Sequence, residues 1–209
     1  MSFGRLAAWL QGRPSPPLAF LRRRFVALDL ETTGLDPRRD AIVSVAAIPF
    51  VDGRPDGGYV TLVDPGRPIP ADSTAVHGLT DDAVRGAPRI DGVLSPLDEV
   101  LGGEVIVGHS VAFDLAFLGR ARRTLGLPRL RNRALDTALL AAALHPGWRR
   151  PTFEEIAARL GVDIVARHTA EGDALTAGRL LLALLPELES QDLRSVGRLM
   201  WLQRRVLRR

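Results

Sequence analysis

The 209-residue sequence contains no cysteine and no lysine. Without thiols there is no disulfide, no thiolate zinc site, no iron–sulfur cluster and no cysteine nucleophile. Without lysine, all 28 basic residues are arginine. A GC-rich genome produces that bias, and it also suits phosphate, because a planar guanidinium offers paired hydrogen bonds. Aromatic residues are scarce at 5%, with a single tyrosine, Tyr59. No apolar run reaches the ~20 residues that a membrane-spanning helix needs; the longest, Ala174 to Leu185, carries Arg179. Leu6–Leu10 is too short for a secretory signal and Gln11, Gly12 and Arg13 follow it, so a cytoplasmic protein with no membrane partner is expected.

What is present suits one folded domain. The chain is 46% hydrophobic and 25% charged with a net charge of +4, which excludes wholesale disorder. Its length gives room for one full-sized core. The arginines gather at 22–24, 120–123, 129–133, 149–150 and 204–209, a distribution compatible with a nucleic-acid partner.

Residues 1–23 read as an appendage: a short apolar helix, then Pro14, Pro16 and Pro17, then arginines. Residues 24–186 read as the main domain and 187–209 as a basic C-terminal helix. Phe25–Leu30 is a continuous apolar run, the mark of a strand buried on both faces. Ala41–Phe50 and Tyr59–Val63 follow as strands, separated by Asp52-Gly53 and Gly57-Gly58 turns. Thr80 is placed to cap a short helix, and Ser110 to cap one after a buried strand at Val105–Val107. Thr152-x-x-Glu155 forms a capping box for a helix ending at Gly161. A long helix is expected from Ala170 to Leu185, stopped by Pro186. A meander of strands followed by alternating helices and strands defines an α/β domain.

Asp29 interrupts the first apolar run, where an isolated carboxylate is costly to bury. Glu31 lies two residues on, so both side chains leave one face of the strand. Two readings fit: the strand ends at Leu28 with both acids in solvent, or a shared proton or hard cation relieves their repulsion. Thr32-Thr33-Gly34 adds hydroxyls, amides and a flexible turn beside the acids. Asp114 falls one turn inside the helix that Ser110 would cap, and His168-Thr-Ala-Glu-Gly-Asp173 adds a histidine and a fourth acid. Five residues along a helix separate two side chains by ~140°, so Asp173 belongs on a helix and His168 at its entrance.

Asp29-Leu-Glu31-Thr-Thr-Gly34, Phe113-Asp114 and His168-x-Ala-x-x-Asp173 resemble the three signature motifs of the DEDDh 3′–5′ exonucleases, the family of the proofreading epsilon subunit of bacterial DNA polymerase III. Val76-His77-Gly78-Leu79-Thr80 and Gly108-His109-Ser110 extend the resemblance, which runs in order from about Phe25 to Leu185. Ser110 stands where the family often has asparagine. The subclass that uses tyrosine is excluded, because Tyr59 is remote from Asp173 in sequence.

The resemblance implies a ribonuclease-H-like α/β fold with a five-stranded mixed sheet flanked by helices. It implies two divalent cations, Mg²⁺ or Mn²⁺, held by Asp29, Glu31, Asp114 and Asp173, with His168 as general base. It implies that Thr32, Thr33, Leu35, His77, His109 and Phe113 cradle the terminal nucleotides. The expected reaction is release of 5′-mononucleotides from 3′ ends, with single-stranded DNA as the expected substrate and a DNA polymerase as the partner protein suggested. A 3′–5′ exoribonuclease and a non-catalytic nucleic-acid-binding module are the alternatives.

Overall fold

The computed structural model describes residues 17–148 and 151–208. The apolar helix, Pro14 and Pro16 of the expected appendage lie outside them, as do Arg149, Arg150 and Arg209. The frame is a mixed sheet made from β1 (Arg24–Thr32), β2 (Ile42–Val51), β3 (Arg54–Pro55), β4 (Tyr59–Leu62), β5 (Ile106–Gly108) and β6 (Ala134–Asp136). Lateral order is β3-β2-β1-β5-β6, with β4 also pairing along β2. The expected five strands are thus joined by a two-residue sixth. The Asp52-Gly53 turn, with φ of 48° and 78°, folds the chain back for just two pairs, Phe50 with Pro55 and Val51 with Arg54.

β1 is the middle strand, antiparallel to β2 and parallel to β5. Alternation along it divides two cores. Phe25 and Ala27 join the core beneath α7 (Ala170–Ser190). Val26, Leu28 and Leu30 join the core beneath α3 (Ile90–Leu101) and α4 (Ala112–Thr124). The remaining helices are α1 (Ala19–Arg23), α2 (Ala71–His77), α5 (Thr137–Leu144), α6 (Phe153–Leu160) and α8 (Val196–Val206). None of the described helices is long and apolar enough to cross a membrane.

Three local expectations are corrected. Thr80 heads a run of turns over residues 81–86 rather than a helix, though its Oγ1 still accepts from the Ala83 amide at 3.3 Å. Ser110 has φ of 58° and caps nothing with its side chain; the N-cap of α4 is Val111, without a side-chain cap. The long helix continues through Pro186 to Ser190. There, burial of Leu184, Leu185 and Leu188 offsets the hydrogen bond that proline removes. The capping box at Thr152 and Glu155, ending at Gly161, is present as expected.

Two close packings fix α7. A Cβ on Gly178 would run into the ring of Phe50, itself stacked on Phe25 at 4.8 Å. A Cβ on Gly172 would strike the carbonyls of Val165 and Ala166. Gly178 thus lets the middle of α7 approach the sheet, and Gly172 lets the loop before α7 approach its first turn.

Candidate active site

The odd-numbered side chains of β1 face α7, so Asp29 and Glu31 leave the sheet toward the N-terminal turn of that helix. Asp173 sits in that turn, fixed by its amide donating to the Thr169 carbonyl at 2.9 Å. One carboxylate oxygen from each of Asp29, Glu31 and Asp173 comes within 4.8 Å of the others. Asp173 Oδ1 is buried with no hydrogen-bond partner. Hard oxygen donors at this separation, with an unsatisfied carboxylate oxygen on Asp173, fit a divalent cation of the Mg²⁺ or Mn²⁺ type.

Asp114 does not belong to that three-oxygen group. It reaches the end of β1 from α4, on the opposite face of the sheet. Its Oδ1 accepts from the Leu30 amide at 3.0 Å. It is near enough to act by charge, since it is the strongest charged neighbour raising the pKa of Asp29.

Burial and mutual repulsion govern the cluster. Burial first, then the charges of Asp114, Asp173 and Glu31, push the Asp29 carboxyl well above the ordinary range. Burial, with Asp173 beside it, pushes Glu31 to about 7. Burial raises Asp114 strongly against its amide hydrogen bonds, and raises Asp173 against the nearby Arg167 and His168. Protons therefore do at these oxygens what a cation would do.

Arg167 is the residue that sequence reasoning missed. Its Nη1 donates to Asp173 Oδ2, and its Nε donates to Glu154 Oε1 at 2.6 Å. The guanidinium lies 4.7 Å over the Phe153 ring. That hydrogen bond holds the Glu154 carboxyl down at about 2. The one signal available in sequence was an arginine adjoining the histidine of an acid-rich motif, and its partner Glu154 is 13 residues away.

His168 is exposed immediately before the Thr169 N-cap, in left-handed backbone with φ of 63°. It stands at the open rim beside Asp173. Four of the six expected nucleotide contacts line one cleft with Glu31: Thr32, Leu35, His77 and Phe113. Leu35 is 84% exposed, an unusual state for a large apolar side chain. His77 Nδ1 accepts from the Leu79 amide at 3.1 Å, leaving Nε2 to carry the proton, and Nε2 is buried without a partner. Burial lowers the His77 pKa, against a backbone interaction with Thr32 that raises it.

Thr33 and His109 fall outside that cleft. The Thr33 hydroxyl is buried, accepting from the Ala41 amide at 3.0 Å to close the loop after β1. His109 packs edge-on against Phe153 at 4.5 Å, with Nδ1 3.0 Å from Thr137 Oγ1. Burial, and then Arg167, lower its pKa to about 4. Asp136 caps α5, accepting from the Ala138 and Leu139 amides. It also accepts from the Ser110 amide at 3.1 Å, tying the turn before α4 to β6. Trp148 stacks on His145 at 3.9 Å with Arg159 above it, so its ring is used in loop packing.

A mixed sheet with carboxylates from its central strand meeting one from a helix N-terminus is the architecture of the ribonuclease-H-like fold. The chain belongs to the RNase T exonuclease family, which it matches over residues 26–181. A DNA polymerase III subunit epsilon-like protein of Rhodobacter capsulatus is 43% identical over 83% of this chain, which spans 25% of that protein. A PolC-type DNA polymerase III of Latilactobacillus sakei is 32% identical over 84% of this chain and 12% of its own length. The chain thus spans a quarter or less of these relatives. Exonuclease X in complex with 5′ overhanging duplex DNA shares the fold with a TM-score of 0.63 at 24% identity, over 86% of this chain and 98% of that one. E. coli Exonuclease I in complex with a dT13 oligonucleotide shares it with a TM-score of 0.66 at 18% identity, over 82% and 42%.

Proposed function

We propose that the protein is a 3′–5′ exonuclease that removes 5′-mononucleotides from single-stranded or frayed DNA ends, using two divalent cations. The observation that carries this reading is the convergence of oxygens from Asp29, Glu31 and Asp173 within 4.8 Å, open at one side to the His168 imidazole. Asp29, Glu31 and Asp173 would hold one cation, and Asp29 with Asp114 the second. When bound, the two cations acidify water and neutralise charge on the phosphate oxygens.

His168 takes the proton from the attacking water and passes it to solvent. Exposure at the rim lets the imidazole exchange that proton with solvent. Water attacks phosphorus, the bond to the 3′ oxygen of the preceding sugar breaks, and that oxygen leaves to take up a proton. The products are a 5′-mononucleotide and a strand one residue shorter. The cleft beside Glu31 holds the terminal nucleotide: Leu35, Val76 and Phe113 offer apolar surface to the base and sugar, and His77 Nε2 offers a proton donor. Arg167 balances Asp173 until cation and substrate arrive.

The polarity rests on the motif resemblance. DNA as substrate is supported by relatives named as DNA polymerase III proteins and by structural neighbours bound to DNA. The same relatives support a polymerase as partner. The match over 26–181 supports residues 24–186 as the catalytic unit. The test is degradation of 5′-labelled single strands in Mg²⁺ or Mn²⁺, resolved by length. The expected result is a ladder shortening from the 3′ end that EDTA abolishes. Undiminished activity in EDTA, or early release of the 5′ label, contradicts the reading.

A further inference from the structure

The face of α4 that begins at the cleft does not end there. Phe113, Ala116, Arg120 and Arg123 fall within ~80° of one another around the helix axis and extend ~15 Å along it. Phe113 lines the cleft beside Glu31. Ala116, Arg120 and Arg123 line a separate groove of 460 Å³, together with Arg38, Arg129 and Leu130. Four arginines border this groove and no acid does.

Arg38, Arg120, Arg123 and Arg129 are all exposed, and their side chains make no ion pair among the described residues. Arg122 provides the contrast on the same helix. It is 6% exposed, paired with Asp98 and hydrogen-bonded to the Pro128 carbonyl, so it serves packing. Arg38 is held out on the loop that leaves β1. Its amide donates to Asp36 Oδ1 at 2.9 Å, and the Asp36 amide donates to Asp40 Oδ2 at 2.8 Å. The same loop presents Leu35 to the cleft, three residues earlier. Cleft and groove therefore share two elements, the β1 loop and α4, while α2 completes the cleft and residues 129–132 complete the groove. Unpaired guanidinium groups flanking small and apolar residues, Ala116, Gly119 and Leu130, are complementary to a chain of phosphodiesters joined by sugars.

We propose that this groove is a second nucleic-acid contact, which takes the phosphodiester backbone of the strand whose end lies in the cleft. The proposal rests on the nuclease reading for the direction of the strand only; binding of the backbone does not require cleavage. Arg120 and Arg123 lie ~9 and ~14 Å along the helix from Asp114. The groove therefore acts only on strands of several nucleotides, gripping them by charge without reading sequence.

The test is fluorescence anisotropy in metal-free buffer, where no hydrolysis intervenes, with oligonucleotides from two to about twenty nucleotides over a range of salt. The parent is expected to gain affinity with length. Arg120→Gln/Arg123→Gln should lose most of that gain, on the order of tenfold, and reduce the slope of log K against log salt by about 1.4, at ~0.7 per single-strand phosphate contact. Arg38→Gln/Arg129→Gln, on the two segments that line the groove besides α4, should do the same with an unchanged melting temperature. Length-dependent affinity that both double variants retain overturns the proposal, as does equal, arginine-dependent binding of a polyglutamate peptide. A parent that binds strands through these arginines yet never hydrolyses them in Mn²⁺ upholds the groove and removes the exonuclease reading.

Discussion

The acids at the site are placed for cations at the expense of the cation-free fold. Asp29 and Glu31 have raised pKa values, so the folded protein keeps protons that the unfolded chain has already released. That stabilisation is present at low pH and is lost as pH rises from 4.5, the ordinary Glu value, through about 7. In EDTA the melting temperature should therefore be higher near pH 5.5 than near pH 8, and Glu31→Gln should flatten the dependence. A profile that rises toward pH 8 contradicts the assignment. Asp29→Asn removes one charge from the cluster, so in EDTA it should melt at or above the parent temperature. In millimolar Mn²⁺ the order should reverse, because the parent gains the larger binding term. His168→Ala should lower kcat by roughly 10²–10⁴-fold with little change in strand binding, and near-normal kcat over pH 6–9 would remove His168 from the mechanism. Much of this residue-scale picture is legible in sequence. The two-residue period of β1 puts Asp29 and Glu31 on one face, and the 3.6-residue period separates His168 from Asp173. Arg167 is not legible, because its pairing with Asp173 and Glu154 depends on where α6 begins relative to α7. Asp114 was assigned to the cluster by motif alone, and its approach from the other side of the sheet depends on topology.

At the scale of elements, α7 is positioned by what it lacks. Gly178→Ala would drive a methyl group into Phe50, which is fully buried and stacked on Phe25, so neither ring has room to yield. Overpacking of this kind typically costs about 1–3 kcal/mol. Thermal melting in EDTA reads that loss, and an unchanged melting temperature would show that α7 stands off the sheet. The capping box of α6 and the glycine after it were legible, because they are local chemistry. The errors at Ser110 and Pro186 have the opposite origin. Ser110 takes a left-handed turn because its amide is held by Asp136, a residue 26 positions away. Pro186 is tolerated because the leucines around it are buried against elements remote in sequence. Tertiary contacts override local preference at both.

Over the whole molecule, β6 is one edge of the sheet, and α8 covers it. Gln203 accepts from the Asp136 amide and donates to the Ala134 carbonyl at 3.4 Å, taking the place of a further strand on that edge. That same Asp136 holds the turn before α4, so the C-terminal helix supports the frame on which the site rests. The frame brings charges of one sign into one place and leaves arginines around it, and that arrangement makes the cation the central question. The most direct measurement is calorimetric titration of Mn²⁺ into the metal-free protein near pH 6.5, in buffers of different ionisation enthalpy. Saturable binding accompanied by proton release is predicted, since Glu31, held at about 7, must give up its proton as the cation enters, and Asp29→Asn should lose most of the affinity. No binding at millimolar Mn²⁺, or equal binding by Asp29→Asn, would contradict a metal centre on β1 and α7.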